Sequence, residues 1–187
     1  MSIIKREKDK LREEYKSVRK NIKNKKGKSK EIVSKIIKTR IFKDAKIIAL
    51  YKSLKSEVDT TEVIEYAIND GKIVVLPKVE NDELKFYKIN SIDEILEKGR
   101  LGIEEPKGKI ENLINNNLID LLVVPGLCFD LEKNRLGFGK GFYDRFLKQK
   151  EFKTIGICFE DQVVEKLPID EYDEKVIMII TDKRCIE

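Results

Sequence analysis

The sequence predicts an α/β protein, a three-layer α/β/α sandwich with a mostly parallel central sheet, formed by a single domain of residues 1–187. Short apolar runs, typical of strands buried on both faces, alternate with segments of helical periodicity. The length is that of one domain, and neither an internal repeat nor a low-complexity linker divides the chain.

Two amphipathic segments open the chain. Apolar side chains recur near a 3.6-residue spacing from Ile4 to Ile22 and predict a helix over residues 3–24, within a basic N-terminal segment of residues 1–26. Gly27 and its lysine neighbours interrupt the pattern. A second helix is then predicted, with one apolar face running from Ile32 to Ile41.

Strands and helices alternate along the rest of the chain. Strands are predicted at residues 47–51, 73–76, 84–89, 119–124, 155–159 and 176–180, and helices at 58–70, 109–117 and 141–149. Asp59 with Glu62 resembles a capping box, and Gly71 is expected to end that helix. Pro77 is expected to end the second strand, and residues 84–89 are expected at a sheet edge.

The composition restricts the chemistry. With no histidine, the chain excludes Ser-His-Asp triads, Cys-His pairs and His-ligated zinc or iron sites. An enzyme with this sequence would depend on carboxylates, lysines, arginines, backbone amides and a bound metal.

Positive charge is concentrated at the N-terminus. Residues 1–30 contain 13 Lys and Arg against 4 Asp and Glu, whereas the whole chain has a formal net charge of only +5. Such an arm suits an anionic partner, so a nucleic-acid-binding module is one hypothesis and a merely solvated helix another. Acidic residues from Glu7 to Glu14 break up the basic patch, and Tyr15 is its only aromatic side chain, which disfavours nucleic acid.

Cysteine usage and hydropathy bear on the compartment. The cysteines Cys128, Cys158 and Cys185 are odd in number and widely spaced, which favours a reducing compartment over disulfides. No apolar run approaches the roughly 20 residues of a membrane span, and the N-terminus lacks the apolar stretch of a signal peptide. We expect a cytoplasmic monomer that binds neither membrane nor nucleic acid.

The densest motif is a glycine-rich segment at residues 134–145. Gly137, Gly139 and Gly141 alternate around Lys140 before a predicted helix, and Arg135 precedes them. Glycines let the backbone approach a ligand closely, so that its amides, together with a lysine, can bind a polyphosphate. The segment is neither a Walker A loop nor a dinucleotide fingerprint, and a tight strand-to-helix turn is the simpler interpretation.

Carboxylates near this segment suggest a metal site. Asp144 would lie in the first turn of the following helix, where it could also serve the helix dipole. Mg²⁺ is commonly held by one or two carboxylates plus phosphates. Asp173 is a candidate second ligand, although spacing alone does not separate it from Asp170 or Glu174.

These motifs resemble those of the 5-formyltetrahydrofolate cyclo-ligase family. The resemblance extends over nearly the whole chain, in residues 8–12, 57–60, 102–106, 125–130, 135–145, 156–159, 167–168, 172–173 and 180–181. Members use MgATP to close 5-formyltetrahydrofolate, with or without a polyglutamate tail, into 5,10-methenyltetrahydrofolate, and release ADP and phosphate. The formyl oxygen is phosphorylated on the way.

The resemblance implies roles for particular residues. ATP would be bound by Lys8, Asp9, Lys10, Leu11, Arg12, Arg135, Leu136, Gly137, Phe138, Gly139, Lys140, Gly141, Phe142 and Tyr143. The folate would contact Lys52, Glu57, Phe138, Gly139, Lys140, Gly141 and Phe142. Asp144 and Asp173 would hold Mg²⁺, and Lys140 and Arg135 would be catalytic. Three positions depart from residues common in the family, namely Lys133, Phe138 and Tyr172.

Another phosphate-binding small-molecule enzyme, such as a sugar-phosphate isomerase or a different ATP-using ligase, is the third hypothesis. It shares the glycine-rich loop but does not explain Glu57, Lys8 and Arg12 together.

Overall fold

A computed structural model describes residues 3–93, 96–99 and 104–187. The α-helices formed there are α1 (Ile3–Asn21), α2 (Lys25–Ile36), α3 (Arg40–Asp44), α4 (Thr61–Asn69) and α5 (Phe142–Leu147). The strands are β1 (Ile47–Ala49), β2 (Ile73–Glu80), β3 (Glu83–Ile89), β4 (Leu96–Lys98), β5 (Glu104–Pro106), β6 (Leu113–Ile114), β7 (Leu121–Val124), β8 (Cys128–Asp130), β9 (Arg135–Leu136), β10 (Thr154–Ile157), β11 (Val163–Val164), β12 (Met178–Ile180) and β13 (Cys185–Ile186).

An eight-stranded sheet runs through the middle of the protein, in the order β13-β12-β10-β7-β1-β2-β3-β6. The five inner strands from β12 to β2 pair in parallel, and the outer pairings are antiparallel. The prediction of a mostly parallel sheet is therefore confirmed. A smaller sheet, β11-β8-β9, and the β4-β5 hairpin lie outside it.

Successive residues of the central strands contribute to two different cores, one on each face of the sheet. Ile48 and Val74 pack with the cluster that contains residues of α2, α3 and α4. Their neighbours Ala49 and Val75 pack with the cluster that contains Phe146 of α5. Strands covered on both faces are apolar throughout, which is why the short runs in the sequence identified them. The predicted three-layer arrangement is confirmed.

The N-terminal helix α1 lies against the small sheet. Leu11 and Tyr15 pack on the small core formed by Cys128, Leu136 and Leu167. The predicted end of this helix is wrong, because α1 ends at Asn21 and not at residue 24 or 26. Asn24 takes a left-handed conformation, with φ of 52°, and its side chain accepts a hydrogen bond from Gly27 N to begin α2.

Two further helix predictions need correction. The second helix stops at Ile36, because Thr39 begins a separate short helix and its hydroxyl accepts from Phe42 N. The capping box at Asp59 is also wrong, since the residue before α4 is Thr60. Thr60 Oγ1 donates to Tyr51 O across 2.6 Å, while Asp59 accepts from Thr61 N. Gly71, at φ of 75°, ends α4 as expected.

Strand β2 continues through Pro77 instead of ending there. Its neighbour β1 ends at Ala49, opposite Val75. Pro77 lies beyond that point, so its missing N–H removes no ladder hydrogen bond to β1. Residues 109–117 do not form the predicted helix. They form β6 between two 3₁₀ turns, and β6 lies beyond β3 at the sheet edge, so β3 is not the edge strand.

Candidate active site

The candidate site is a cavity of about 820 Å³ at the carboxyl ends of β1, β2 and β7. Parallel α/β sheets usually bind ligands at this edge. Of the four carboxyl ends of β1, β2, β7 and β10, three contribute to it, with Lys52 after β1, Pro77 on β2 and Pro125 after β7. The fourth, after β10, leads into a 3₁₀ turn at Glu160–Gln162 that packs against α1 instead.

The glycine-rich loop forms one wall of the cavity. All residues from Arg135 to Arg145 line it, which brings together the loop residues predicted from the sequence. Gly139 and Gly141 have φ of +92° and +68°, a region that favours glycine. A Cβ atom at Gly139 would also lie 3.1 Å from the guanidinium carbon of Arg12. The loop therefore depends on these two glycines for its path.

Two cations in the wall are unpaired within the described residues. Among the residues that the structure describes, the ammonium groups of Lys140, in the loop, and Lys52, after β1, make no hydrogen bond or ion pair. Both side chains line the cavity. Unpaired ammonium groups in a concave site attract an anionic ligand.

Arg135 and Asp144 pair with each other across the base of the loop. Arg135 Nη2 donates to Asp144 Oδ1 across 2.7 Å. Arg135 is buried, Nη1 donates to Pro125 O, and its guanidinium lies over the ring of Tyr143 at 5.6 Å. Arg135, which the resemblance assigns to ATP, thus neutralises Asp144, which it assigns to Mg²⁺.

Lys8 makes a second arrangement of the same kind. Its ammonium donates to Asp170 Oδ2 across 2.7 Å and to Asp173 Oδ2. Lys8 is buried although it is a lysine near the start of α1. The hydrogen bond from Lys8 holds the pKa of Asp170 below its usual range. Asp173 also accepts from Asp170 N across 2.8 Å.

The other predicted residues of α1 have different surroundings. Arg12 lines the cavity and joins α1 to the loop, since its Nε donates to Gly137 O across 3.0 Å and its Nη1 to Asp9 Oδ1 across 2.6 Å. Asp9, Lys10 and Leu11 are not among the cavity-lining residues. Leu11 instead packs in the small core, and Lys10 is exposed.

Glu57 is buried, 8% exposed, and lines the cavity. Its Oε1 accepts from Arg19 Nη1 across 3.0 Å, and its Oε2 accepts from Leu54 N across 2.8 Å. Burial raises the pKa of the Glu57 carboxyl, and the Arg19 charge and the two hydrogen bonds oppose that rise. A buried carboxylate with fixed oxygens is suited to binding N–H donors.

Metal binding would have to depend on few carboxylates. Within residues 3–93, 96–99 and 104–187, no group of three or more His, Cys, Asp or Glu side chains could hold a metal ion. Asp144 and Asp173 both line the cavity, with 20% of each side chain exposed. Proteins commonly hold Mg²⁺ by one or two carboxylates together with waters and substrate phosphates, so these two side chains fit a Mg²⁺ ion that binds with a phosphate ligand.

Sequence reasoning missed Arg19. Its spacing from Arg12 is seven residues, and Arg12 follows Lys8 by four, so the three cations share one face of α1. That spacing is the signal that could have identified Arg19. Tyr51, the residue before Lys52, also lines the cavity and was missed because it ends an apolar run.

Comparison with known proteins decides the family. The model of the 5-formyltetrahydrofolate cyclo-ligase family matches residues 4–182. The chain belongs to this family. It is 32% identical to the mouse 5-formyltetrahydrofolate cyclo-ligase over 157 residues, covering 78% of this chain and 77% of that protein. To the Escherichia coli K12 cyclo-ligase it is 34% identical over 149 residues, covering 76% and 81%.

Solved structures agree with the family assignment. The NMR structure of 5,10-methenyltetrahydrofolate synthetase from Aquifex aeolicus is 36% identical and superposes with a TM-score of 0.83 over 95% of this chain and 91% of that one. A Mycoplasma pneumoniae 5,10-methenyltetrahydrofolate synthetase is 28% identical, with a TM-score of 0.75 over 94% and 98%. The hypothesis of an enzyme, a 5-formyltetrahydrofolate cyclo-ligase, is thereby confirmed.

The structure shows the surroundings of the three positions at which the sequence was expected to depart from common family residues. Lys133 has φ of 68°, the left-handed conformation that a glycine would adopt without strain. Phe138 lies beneath the Arg19 guanidinium at 5.1 Å. The Tyr172 ring lies 4.8 Å from the Lys148 ammonium at the cavity wall. Gly102, the first residue of the segment 102–106 that resembles a family motif, lies outside the described residues.

None of the helices in the described ranges combines the length and apolar character that crossing a membrane requires.

Proposed function

We propose that this cyclo-ligase uses MgATP to convert 5-formyltetrahydrofolate, with or without a polyglutamate tail, into 5,10-methenyltetrahydrofolate, ADP and phosphate. The observation that carries the proposal is the meeting, in one cavity, of the glycine-rich loop, two unpaired lysines and two paired carboxylates. Phosphoryl transfer asks a protein mainly for positioning and charge neutralisation, so the absence of histidine does not impede it.

The triphosphate would lie along the glycine-rich loop. Arg12 and Arg135 reach the loop from α1 and from β9, and Lys140 supplies an unpaired charge within it. Lys140 and Arg135 would stabilise the charge that moves between phosphate oxygens during transfer. Leu136, Phe142 and Tyr143 would add apolar contacts, and Asp9, Lys10 and Leu11 would act only through the α1 turn that places Lys8 and Arg12.

Magnesium would bind between the phosphates and Asp144 and Asp173. When bound, Mg²⁺ neutralises phosphate charge and orients the γ-phosphate for attack. Each carboxylate is now held by a cation, Asp144 by Arg135 and Asp173 by Lys8. Binding of a metal–phosphate pair would exchange these partners, since the phosphates suit the cations and the metal suits the carboxylates. Such an exchange keeps every charge compensated.

The folate would lie between the loop and Glu57. Glu57 presents a fixed carboxylate to the N–H groups of the reduced pterin ring. Lys52, unpaired in the described structure, would attract an anionic part of the ligand. Phe138 and the loop backbone from 139 to 142 would separate the two ligands, so that the formyl group meets the γ-phosphate.

The reaction then has two balanced steps. The formyl oxygen attacks the γ-phosphorus, an O–P bond forms, and the bond to the β,γ-bridging oxygen breaks to release ADP. N10 next attacks the activated formyl carbon, loses its proton, and phosphate leaves with the former formyl oxygen. The protein contributes charge and alignment, and no side chain forms a covalent bond.

An oxygen-isotope experiment tests this sequence of steps. The substrate is prepared with ¹⁸O in its formyl group and converted with unlabelled ATP, and the phosphate released is analysed by mass spectrometry. One ¹⁸O atom in each phosphate is expected. Phosphate without the label, at full product yield, would contradict phosphorylation of the formyl oxygen.

We also propose a domain organisation, an oligomeric state and a cellular compartment for the enzyme. We infer that residues 1–187 act as one domain, because residues from both ends of the chain, such as Lys8 and Asp173, line the same cavity. We expect the enzyme to act as a monomer. The cysteines in the described structure are free thiols, which suits the reducing cytoplasm. Three cations of α1, Lys8, Arg12 and Arg19, are engaged by the protein itself, which leaves less of the basic arm for nucleic acid.

A further inference from the structure

Arg19 contacts two side chains that line the cavity, Glu57 and Phe138. It lies on α1, is only 3% exposed, and donates from Nη1 to Glu57 Oε1 across 3.0 Å. Its guanidinium also lies over the Phe138 ring, with 5.1 Å between Cζ and the ring centroid. Glu57 follows β1 and Phe138 belongs to the glycine-rich loop, so one side chain links the two.

An anchor for α1 would not need this arrangement. Lys8 and Arg12 already join α1 to Asp170, Asp173 and the loop. Arg19 is buried at a cost, because its Nε has no hydrogen-bond partner in the described part of the chain. A guanidinium kept in place despite an unsatisfied donor indicates that its other contacts matter.

The surroundings of Glu57 show what those contacts do. The groups that face this carboxylate are Arg19 from α1, Leu54 N from its own turn, Tyr51 after β1, and Tyr143 from α5. Arg19 is the positive charge among them. Burial raises the pKa of Glu57, whereas Arg19 lowers it, so Arg19 favours the ionised carboxylate.

Phe138 is the second group under Arg19. It is 44% exposed and lines the cavity, so its ring is available to a ligand. A guanidinium over an aromatic face restrains the ring without covering its edges. A lysine at position 19 could pair with Glu57 but could not stack in the same planar way.

We infer that Arg19 is a positioning residue for the cyclisation, which fixes Glu57 against the folate and Phe138 beside the formyl group. This inference rests on the proposed function, since Glu57 and Phe138 are there assigned to the folate. It adds a residue on α1 that controls the folate side of the site, whereas Lys8 and Arg12 serve the phosphate side.

Steady-state kinetics of Arg19→Met and Arg19→Lys test the inference. For Arg19→Met, kcat/KM for 5-formyltetrahydrofolate should fall about 100-fold, as expected for a misplaced contact group, while KM for ATP changes less than about threefold. The acid limb of the kcat/KM profile for folate should move to higher pH, because Glu57 loses the charge that lowers its pKa. Arg19→Lys should return that limb to near its wild-type position and leave kcat/KM low.

Controls separate positioning from stability. Arg6→Met changes an exposed arginine of the same helix and should behave as wild type. Circular dichroism and thermal unfolding follow the fold of each variant. If Arg19→Met does not fold, Glu57→Gln and the Arg19→Lys/Glu57→Gln pair replace it. Non-additive losses in kcat/KM are then expected, and additive losses would overturn the inference.

A folded Arg19→Met enzyme with the wild-type KM for folate and an unmoved acid limb would overturn the inference. A merely structural role would lower only the unfolding temperature. If the wild-type protein itself makes no methenyl product, the proposed function fails instead, and the two failures are thereby distinguished.

Discussion

Arg135 Nη2 and Asp144 Oδ1 lie 2.7 Å apart, so a side chain proposed to bind phosphate and a side chain proposed to bind Mg²⁺ neutralise each other. Lys8 and Asp173 form a second such pair in the cavity wall. Burying either cation or either carboxylate alone would be costly, and pairing them avoids that cost. Under the proposed function, a metal-bound triphosphate would replace both pairs at once, whereas free metal or free phosphate would leave a group unpaired.

Asp144→Asn tests this exchange. The substitution removes the carboxylate proposed for Mg²⁺, and kcat should fall about 100-fold or more with the loss of transition-state charge compensation. Initial rates measured over a Mg²⁺ titration should no longer saturate in the wild-type range. Glu151→Gln, an exposed acid outside the cavity, is the matched control. A wild-type Mg²⁺ curve for Asp144→Asn would show that the metal binds elsewhere.

Lys140→Ala removes the unpaired cation of the loop. Because Lys140 is exposed, the variant should fold with an unchanged unfolding temperature. Its kcat should fall about 100- to 1,000-fold, since the ammonium is proposed to stabilise the charge that develops during transfer. Rapid-quench or steady-state rates measure the loss, and Lys38→Ala, an exposed lysine far from the loop in sequence, should retain activity. Equal rates for the two variants would rule out this role for Lys140.

Lys133→Gly should stabilise the protein. Lys133 has φ of 68° in the β8–β9 turn, where Lys133 N donates to Asp130 O. A left-handed residue costs roughly 1–2 kcal/mol, and glycine adds about 0.4–1 kcal/mol of unfolded-state entropy, so a net gain of about 0.5–1 kcal/mol is expected. Urea unfolding measures the free energy. Lys133→Ala, which keeps Cβ, should give no gain, and an equal gain in both variants would point to charge instead.

The three cysteines should differ sharply in reactivity. Cys128 and Cys158 are buried, and burial raises the pKa of the Cys128 thiol to about 12, whereas Cys185 is exposed. The thiolate is the reactive form. With a thiol reagent near pH 8, one cysteine per chain should react quickly in the native protein and all three in denaturant. Fast reaction of two or three native thiols would contradict the packing of α1 over Cys128.

The central sheet could be read from the sequence because strands buried on both faces are continuously apolar. Ile47–Ala49 and Leu121–Val124 illustrate this. The helix predicted at 109–117 failed because side chains there bind the backbone locally. Asn115 Oδ1 accepts from Asn117 N, and Leu113 pairs with Tyr87 of β3 at the sheet edge. These contacts stabilise a turn and a short strand in place of the predicted helix.

The site was predictable where its residues are consecutive and not where they meet across the fold. The spacing of its glycines identified the glycine-rich loop, and all residues from 135 to 145 line the cavity. The Arg19–Glu57 pair joins residues 38 positions apart, and Lys8–Asp173 joins residues 165 positions apart. Periodicity places Lys8, Arg12 and Arg19 on one helix face, but only the packing of α1 on the body selects their partners.

The most direct measurement is a coupled assay of product and nucleotide. Purified protein is mixed with 5-formyltetrahydrofolate and MgATP, the near-ultraviolet absorbance of the methenyl product is followed, and ADP is quantified in the same samples. The account predicts one ADP for each methenyl group formed, and no product without ATP. Folded protein that forms no product, or that forms it without consuming ATP, would contradict the account.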